Sequence, residues 1–260
     1  CPSNLCRFIP SVPGYLYGVK DNNIYVNLFA GNTSTIKVQG KDVVLEETTE
    51  YPWNGDIKIA VKKSGVKNAN LLVRIPGWVR NQVVPSDLYK YSDAEKPAYT
   101  VTVNGKAVEA DLDANKGYLP VKNIKKGDVI RIHFDMPVRT VVANNKVADD
   151  KGKVAVERGP LVYCAEAVDN SNEPVLRAVV AKKPTFTLVD NYSIQNTETK
   201  GAPAFSVKAI KTDAQVLEEG ANGISVKNDK LTLIPYYAWN HRGANEMNVW
   251  FIQNLSMLDK

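Results

Sequence analysis

The sequence predicts an all-β fold: two antiparallel β-sandwich domains preceded by a short helical stub. Three observations predict it. From Lys20 onward apolar residues recur at every second position, the period of strands with one buried face. These runs are short and divided by Gly, Pro, Asn and Asp, the turn signals of a sandwich. The chain of 260 residues also exceeds the usual single domain of about 100–150 residues, so two domains are expected.

The first segment is the exception to period two. Leu5, Phe8, Ile9, Val12, Tyr15 and Leu16 follow helical spacing, and Pro10 and Pro13 should kink or end the helix. Residues 3–17 read as an irregular helix whose apolar stripe needs a partner, so residues 1–15 should either fray or dock. The first sandwich follows. Ile24 to Phe29 is a strand; Ile57, Ile59 and Val61 alternate with Lys58, Ala60 and Lys62; and Leu71 to Ile75 stops at Pro76-Gly77. Thr100 to Val103 runs into Asn104-Gly105, whose tolerance of positive φ suits a type I′ hairpin turn. Val129 to Phe134 places Ile130, Ile132 and Phe134 on one face. A boundary near Met136-Pro137-Val138-Arg139 gives domains at 20–139 and 140–260, with 1–19 as the stub. In the second domain Val154 to Val156 and Leu161 to Cys164 flank a turn at Arg158-Gly159-Pro160. Strands are expected over Val175–Val180, Phe186–Val189, Phe205–Ile210, Leu231–Ile234 and Met247–Ile252, with a polar loop near 190–203.

Composition excludes several classes. Hydrophobic content of 44% and charged content of 23% are those of a globular protein, which removes disordered and fibrous alternatives. The net charge is +5, but the lysines sit at alternate positions of strands, the pattern of a solvated sheet face rather than a nucleic-acid surface. No apolar run reaches the ~18 residues of a membrane helix. Neither nucleic acid nor membrane is an expected partner. The chain starts at Cys1 without an initiator Met, as expected of a piece of something longer, and the lack of a signal peptide therefore decides nothing about compartment.

Motifs for chemistry are sparse. There is no Gly-rich phosphate loop, His-Glu-x-x-His helix or Gly-x-Ser-x-Gly elbow, and nothing marks a serine for Ser-His-Asp catalysis. Three cysteines, Cys1, Cys6 and Cys164, with two histidines, His133 and His241, do not make a zinc motif. Glycosidases need two carboxylates at a set separation, and no pair stands out. Glu46-Glu47, Asp111 with Asp113, and Glu218-Glu219 read as exposed turn or strand-edge residues, since charged side chains are mostly exposed. His133 reads as a surface or interdomain residue. Trp53, Trp78, Trp239 and Trp250 could stack on sugars, but aromatics in a sandwich are more often core. The dense cluster Tyr236-Tyr237-Ala238-Trp239-Asn240-His241-Arg242-Gly243 suits interdomain packing ahead of ligand binding.

An ordered series of short motifs carries a resemblance. Cys1-Pro2-Ser3-Asn4-Leu5-Cys6-Arg7 with Gly14-Tyr15-Leu16-Tyr17 opens it. Ile24 to Leu28, Tyr51-Pro52-Trp53-Asn54-Gly55, Leu72 to Trp78, Val103-Asn104-Gly105 and Gly117-Tyr118 continue it. Gly152 to Cys164 and Ile234 to Gly243 complete it. Each motif is weak alone, but in order they span nearly the whole chain, and together the series resembles glycoside hydrolase family 127, the β-L-arabinofuranosidase-like enzymes.

The resemblance implies an (α/α)₆ catalytic barrel followed by two β-sandwich domains, a retaining hydrolase with a cysteine nucleophile, and a zinc ion held by a glutamate and three cysteines. In the family's Cys-Cys-Pro-x-Asn segment the first cysteine is the nucleophile and the second a zinc ligand. Cys1 precedes Pro2 directly and so matches the second: a zinc ligand in the intact parent enzyme. The nucleophile, the acid/base glutamate and the remaining ligands would lie upstream. This chain is then expected to hold no catalytic or substrate-binding residue and no cofactor of its own. Residues 1–19 would be the remnant of the last helix of a missing barrel, which becomes the expected partner, with carbohydrate the partner of the parent. Cys6 is expected to pack and Cys164 to be buried in a strand. For the parent a periplasmic or extracellular location is expected over a cytoplasmic one. Two other readings remain: a carbohydrate-binding module, which an exposed coplanar Trp or Tyr pair would favour, and a ligand-free scaffold or interaction domain.

Overall fold

A computed structural model describes residues 2–189, 192, 194, 203–212 and 226–254. Cys1, Glu218-Glu219 and nearly all of the polar loop expected near 190–203 lie outside the described residues. The chain divides into two compact units, one formed by Cys1–Arg80 with Lys96–Met136, the other by Asn81–Glu95 with Pro137–Lys260. No helix among the described residues is long and apolar enough to cross a membrane.

The first unit begins with helix α1 (Pro2–Ser11) and a 3₁₀ turn at Val12–Tyr15. Arg7 holds the helix locally, its Nη2 donating to Asn4 Oδ1 at 2.9 Å. Pro10 sits in the last turn, where its missing N–H and ring limit further extension. No residue of α1 is buried, and Leu5, Phe8 and Ile9 are 59%, 57% and 63% exposed. Cys6, expected to pack, is exposed with them. The apolar stripe thus ends at Leu16, which is buried.

Two sheets then face each other. One has strands β1 (Tyr17–Lys20), β2 (Asn23–Val26), β6 (Asn70–Arg74) and β10 (Tyr118–Val121), in the order β1-β2-β6-β10. The other has β3 (Asn32–Val38), β4 (Lys41–Thr49), β5 (Asp56–Ser64), β8 (Tyr99–Val103), β9 (Lys106–Ala107) and β11 (Val129–Phe134), in the order β3-β4-β5-β11-β8-β9. Alternation fixes which side chains turn inward: Ile24, Leu71, Val73 and Leu119 from the first sheet, and Val43, Leu45, Ile59, Ile130 and Phe134 from the second, are 0–1% exposed. Burying each such side chain is worth about 1.5–3 kcal/mol. One pair departs from the antiparallel expectation: β2 and β6 run parallel, Ile24 opposite Leu71. A parallel pair needs a crossover, here through the opposite sheet by β3, β4 and β5.

The second unit forms a ten-stranded sheet that branches. Its strands are β7 (Tyr89–Tyr91), β12 (Val138–Ala143), β13 (Lys153–Arg158), β14 (Leu161–Glu166), β15 (Val179–Val180), β16 (Phe186–Val189), β17 (Ala204–Thr212), β18 (Val226–Pro235), β19 (Met247–Asn248) and β20 (Phe251–Ile252). One edge of β13 pairs with β12. The other is shared, with β14 opposite residues 156–158 and β20 opposite residues 153–154. From β14 the ladder runs through β18, β17, β15 and β20 back to β13, so the sheet closes on itself around Val154, Val156, Tyr163, Leu231, Leu233 and Phe251, all 0–1% exposed. The strand expected over Met247–Ile252 is two short ones, β19 against β14 and β20 against β13, because it crosses from one leaf to the other. Of the span Val175–Val180 only Val179–Val180 is a strand.

Residues 81–95 lie within the first domain's span in sequence yet belong to the second unit. Strand β7 pairs with β12, Tyr91 opposite Val141, and Arg139 explains the attachment. Its guanidinium lies 3.5 Å over the Tyr91 ring and donates to Asp93 and Asn81 at 2.6 Å each. Tyr91 in turn donates to Glu157 at 3.0 Å, a carboxyl that burial pushes above its ordinary range.

Candidate functional site

Several of the quoted motifs meet within the first unit. In the first unit the Tyr51–Gly55 turn is closed by Glu50, whose carbonyl accepts Trp53 N–H at 2.9 Å. Its Tyr51 hydroxyl accepts the Trp78 indole N–H at 3.3 Å, and both rings pack edge-on around Phe134. Trp78 is 8% exposed, so it is core rather than a sugar platform. Gly55 is required by close approach: a Cβ there would lie 2.0 Å from the Phe134 carbonyl oxygen. Tyr118 meets the Ile24–Leu28 motif, donating to Asn27 at 2.8 Å and lying edge-on to Tyr25.

Glu47 is a correction. Read as exposed, it is 3% exposed. It shares the phase of Val43 and Leu45 along β4, and that phase is the signal in the sequence that marks it as inward-facing. Its carboxylate accepts from Tyr17 Oη and from the Ala30 N–H, both at 3.0 Å, while Asn32 bonds the same Tyr17 hydroxyl. No cation supports it among these partners. Burial therefore dominates and pushes its pKa up to about 7 against the lowering effect of the three donors. Glu46, half-buried on the opposite phase, pairs with Lys62 at 3.2 Å. Asp111 and Asp113 are exposed, and Asp111 Oδ1 caps its own turn through the Asp113 and Ala114 N–H groups.

In the second unit the cluster after β18 covers an ionic network. Arg242, 7% exposed at its side chain, forks onto Asp169 with Nη1–Oδ1 2.5 Å and Nη2–Oδ2 2.6 Å. Its Nη2 also pairs with Glu166, which is fully buried. Glu166 Oε1 accepts from Asn240 N–H at 3.2 Å and Asn245 Nδ2 at 3.1 Å, and Tyr192 donates to Asp169. Such a bidentate fork is strong and geometrically specific. It engages both carboxylates in structure-holding bonds, a poor arrangement for proton transfer to a substrate. Sequence reasoning marked the loop but missed Glu166, at the end of β14, and Asp169, in the 3₁₀ turn that follows, which no local pattern distinguishes.

The remaining candidates separate. Cys164 is buried in β14, and burial followed by the neighbouring Glu166 and Asp169 charges pushes its thiol up to about 12, so it is not a nucleophile. Trp239 packs on Cys164, Ile234 and Ala238. Tyr236 lies 5.9 Å from Trp239 at 39°, a tilt that makes no flat platform. Tyr89 and Trp250 stack at 5.6 Å and 30°, each covering a face of the other. His133 is an exposed surface residue bridging Asp56 at 2.7 Å and Asp135 at 3.1 Å; these hydrogen bonds, Asp56 first, raise its pKa. Among the described residues no three His, Cys, Asp or Glu side chains converge as a metal site, and Cys1 lies outside them. A cavity of about 890 Å³ beside β15 and β17 is lined by Val179, Val180, Ala209 and Ile210 with Lys208 and Asp229, without a pair of carboxylates.

Comparison with known proteins gives two adjoining family matches. Residues 23–136 match the β-L-arabinofuranosidase GH127 middle domain and residues 138–252 the glycoside hydrolase family 127 C-terminal domain. A non-reducing end β-L-arabinofuranosidase from Bifidobacterium longum subsp. longum is 31% identical over 96% of this chain. The chain spans 36% of that relative's length. A solved GH127 β-arabinofuranosidase superposes over 98% of this chain with a TM-score of 0.88 and 46% identity, and the match covers 39% of its own length. The GH127 β-L-arabinofuranosidase of Geobacillus stearothermophilus T6 superposes over 98% of this chain with TM-score 0.78 and 28% identity, covering 37% of that chain.

Proposed function

Because this chain belongs to glycoside hydrolase family 127 and carries its middle and C-terminal sandwich domains, we propose that it is the supporting region of a retaining hydrolase that releases L-arabinofuranosyl or related pentose residues from plant-type glycans. The chemistry is carried by an (α/α)₆ barrel outside this chain, and the chain alone is inactive. The observation that carries this reading is the pair of adjoining domain matches in a chain that spans 36% of a catalytically named relative. The proposed division is a barrel-helix remnant at 1–19 and sandwich domains at 20–139 and 140–260, except that β1 already pairs with β2 in the first sandwich and residues 81–95 join the second unit. The exposed Leu5, Phe8 and Ile9 of α1 are the face that the barrel's other helices cover, and carbohydrate is the partner of the whole enzyme.

Cys1 is a zinc ligand of that intact enzyme. One cysteine does not meet the tetrahedral demand of zinc, so the other ligands come from the barrel. A zinc ion there would hold its thiol ligands deprotonated. The test is hydrolysis of p-nitrophenyl β-L-arabinofuranoside by the purified chain, with and without added zinc. Turnover at the buffer rate in both is expected. Zinc-dependent turnover that disappears in Cys1→Ser would overturn the reading.

A further inference from the structure

The outward face of the first unit's six-stranded sheet carries an arrangement that stability does not explain. Lys58 on β5 and Arg131 on β11 are directly opposite each other across the ladder. Like charges in that position repel and destabilise a sheet. Neither has a hydrogen bond or ion pair among the described residues. Elsewhere on the same sheet Lys37 and Lys63 pair with Asp42 and Lys62 with Glu46, while Lys41 and Lys106, at strand ends, have no ion pair among the described residues and no like charge directly opposite. The unneutralised pair is flanked by hydroxyls: Thr102 stands opposite Arg131, and Thr48 opposite Lys58.

Two residues further along the strands the chemistry changes sign. His133 stands opposite both Asp56 and Thr100, and its two ring nitrogens hold Asp56 and Asp135. The two rows enclose a groove of about 370 Å³ lined by Thr48, Lys58, Thr100, Thr102, Arg131 and His133, with Asp56 at its end. That volume falls in the range of small-molecule sites, about 300–1,000 Å³. Rows two residues apart on one strand face are about 6.8 Å apart, the scale of one sugar ring. One end of the groove therefore offers two free cations, and the other offers carboxylate acceptors about one ring away. A phosphate-rich polymer would be repelled by Asp56 and Asp135. A ring with a single carboxylate and several hydroxyls matches both ends.

We propose that this face, centred on Lys58, Arg131 and His133, binds an acidic sugar residue, a uronic acid whose carboxylate lies between Lys58 and Arg131 and whose hydroxyls reach Asp56 and the threonines. The proposal rests on the reading of the chain as part of a glycan-degrading enzyme and names a second class of sugar that it would hold.

The experiment is calorimetric titration of the full chain with trigalacturonate at low salt. Saturable binding is expected, weakened by about tenfold or more in Arg131→Thr and again in Lys58→Thr, the scale of a charge-assisted hydrogen bond. Both positions are at the surface of strands that tolerate Thr, and unchanged circular dichroism separates lost binding from lost folding. Four results would overturn the proposal: no saturable binding; equal binding of the fully methyl-esterified trisaccharide; equal binding of inorganic phosphate, meaning any anion is accepted; or tighter binding of a single-stranded RNA oligonucleotide, meaning a polyanion surface. Each leaves untouched the reading of the chain as the supporting region of a glycosidase, because that reading is tested by hydrolysis in the isolated chain.

Discussion

Glu47 in the first unit and Glu166 in the second are both carboxylates sealed in β-structure, 3% and 0% exposed, yet they are held in opposite ways. Glu166 shares a guanidinium with Asp169, and two further N–H donors complete its shell. Glu47 has a phenol, a backbone amide and an amide side chain nearby, but no cation. Neutral donors do not offset the loss of hydration for a buried charge, so the proton becomes a better partner. The comparison shows that three neutral donors do not outweigh burial at Glu47, whereas at Glu166 a guanidinium stands among the donors.

Removing the cation should make the second site fail where the first merely titrates. Arg242→Met leaves Glu166 and Asp169 buried without their counterion, and breaking a buried pair from one side costs about 3–5 kcal/mol. Urea unfolding at neutral pH should show a loss of that size, and a loss below about 1 kcal/mol would mean that the network is not the clamp described here.

Glu47 should give the next largest effect, and with a particular sign. Its folded-state pKa of about 7 lies above its unfolded value of 4.5, so the folded state holds the proton more tightly. Its contribution is fully present below 4.5 and is lost as pH rises through 7. The full shift corresponds to about 3 kcal/mol. Glu47→Gln keeps an acceptor for Ala30 and removes the ionisation, so the fall in unfolding free energy between pH 5 and pH 8 should shrink by about 2–3 kcal/mol. An unchanged pH slope would place the titration elsewhere.

Arg139→Lys is the smallest perturbation. The lysine keeps the charge but loses the fork to Asp93 and Asn81 and the flat stacking on Tyr91. A loss of about 1–2 kcal/mol is expected, with selective hydrogen exchange in β7, since these contacts attach residues 81–95 to the second unit. Uniform exchange across the unit would show that β7 is held by its strand pairing alone.

These sites also mark where the sequence was readable. Alternation in β5 and β11 and the Asn104-Gly105 turn were legible because period and turn chemistry are local. That turn has positive φ at both residues, 50° and 81°, as a type I′ hairpin needs. Glu47 was legible in principle, being in phase with Val43 and Leu45, but composition argued for exposure and hid it. The parallel pairing of β2 with β6 brings together Asn23 and Asn70, a long-range choice that no local pattern specifies. The same holds for the attachment of β7 through Arg139 and for the meeting of Glu166, Asp169 and Arg242. The Tyr236–Gly243 cluster was visible as unusual, but its aromatic residues drew attention, while Arg242 is the one that reaches into the core.

The claim that neutral donors do not keep the buried Glu47 carboxyl ionised at neutral pH is tested most directly at Glu47 itself. Carbon-13 side-chain NMR of selectively labelled glutamate, followed through pH in the intact chain, should show the Glu47 carboxyl titrating with a midpoint of about 7. A midpoint at the ordinary glutamate value of about 4.5 would contradict it, showing that the phenol and two amides suffice without a cation.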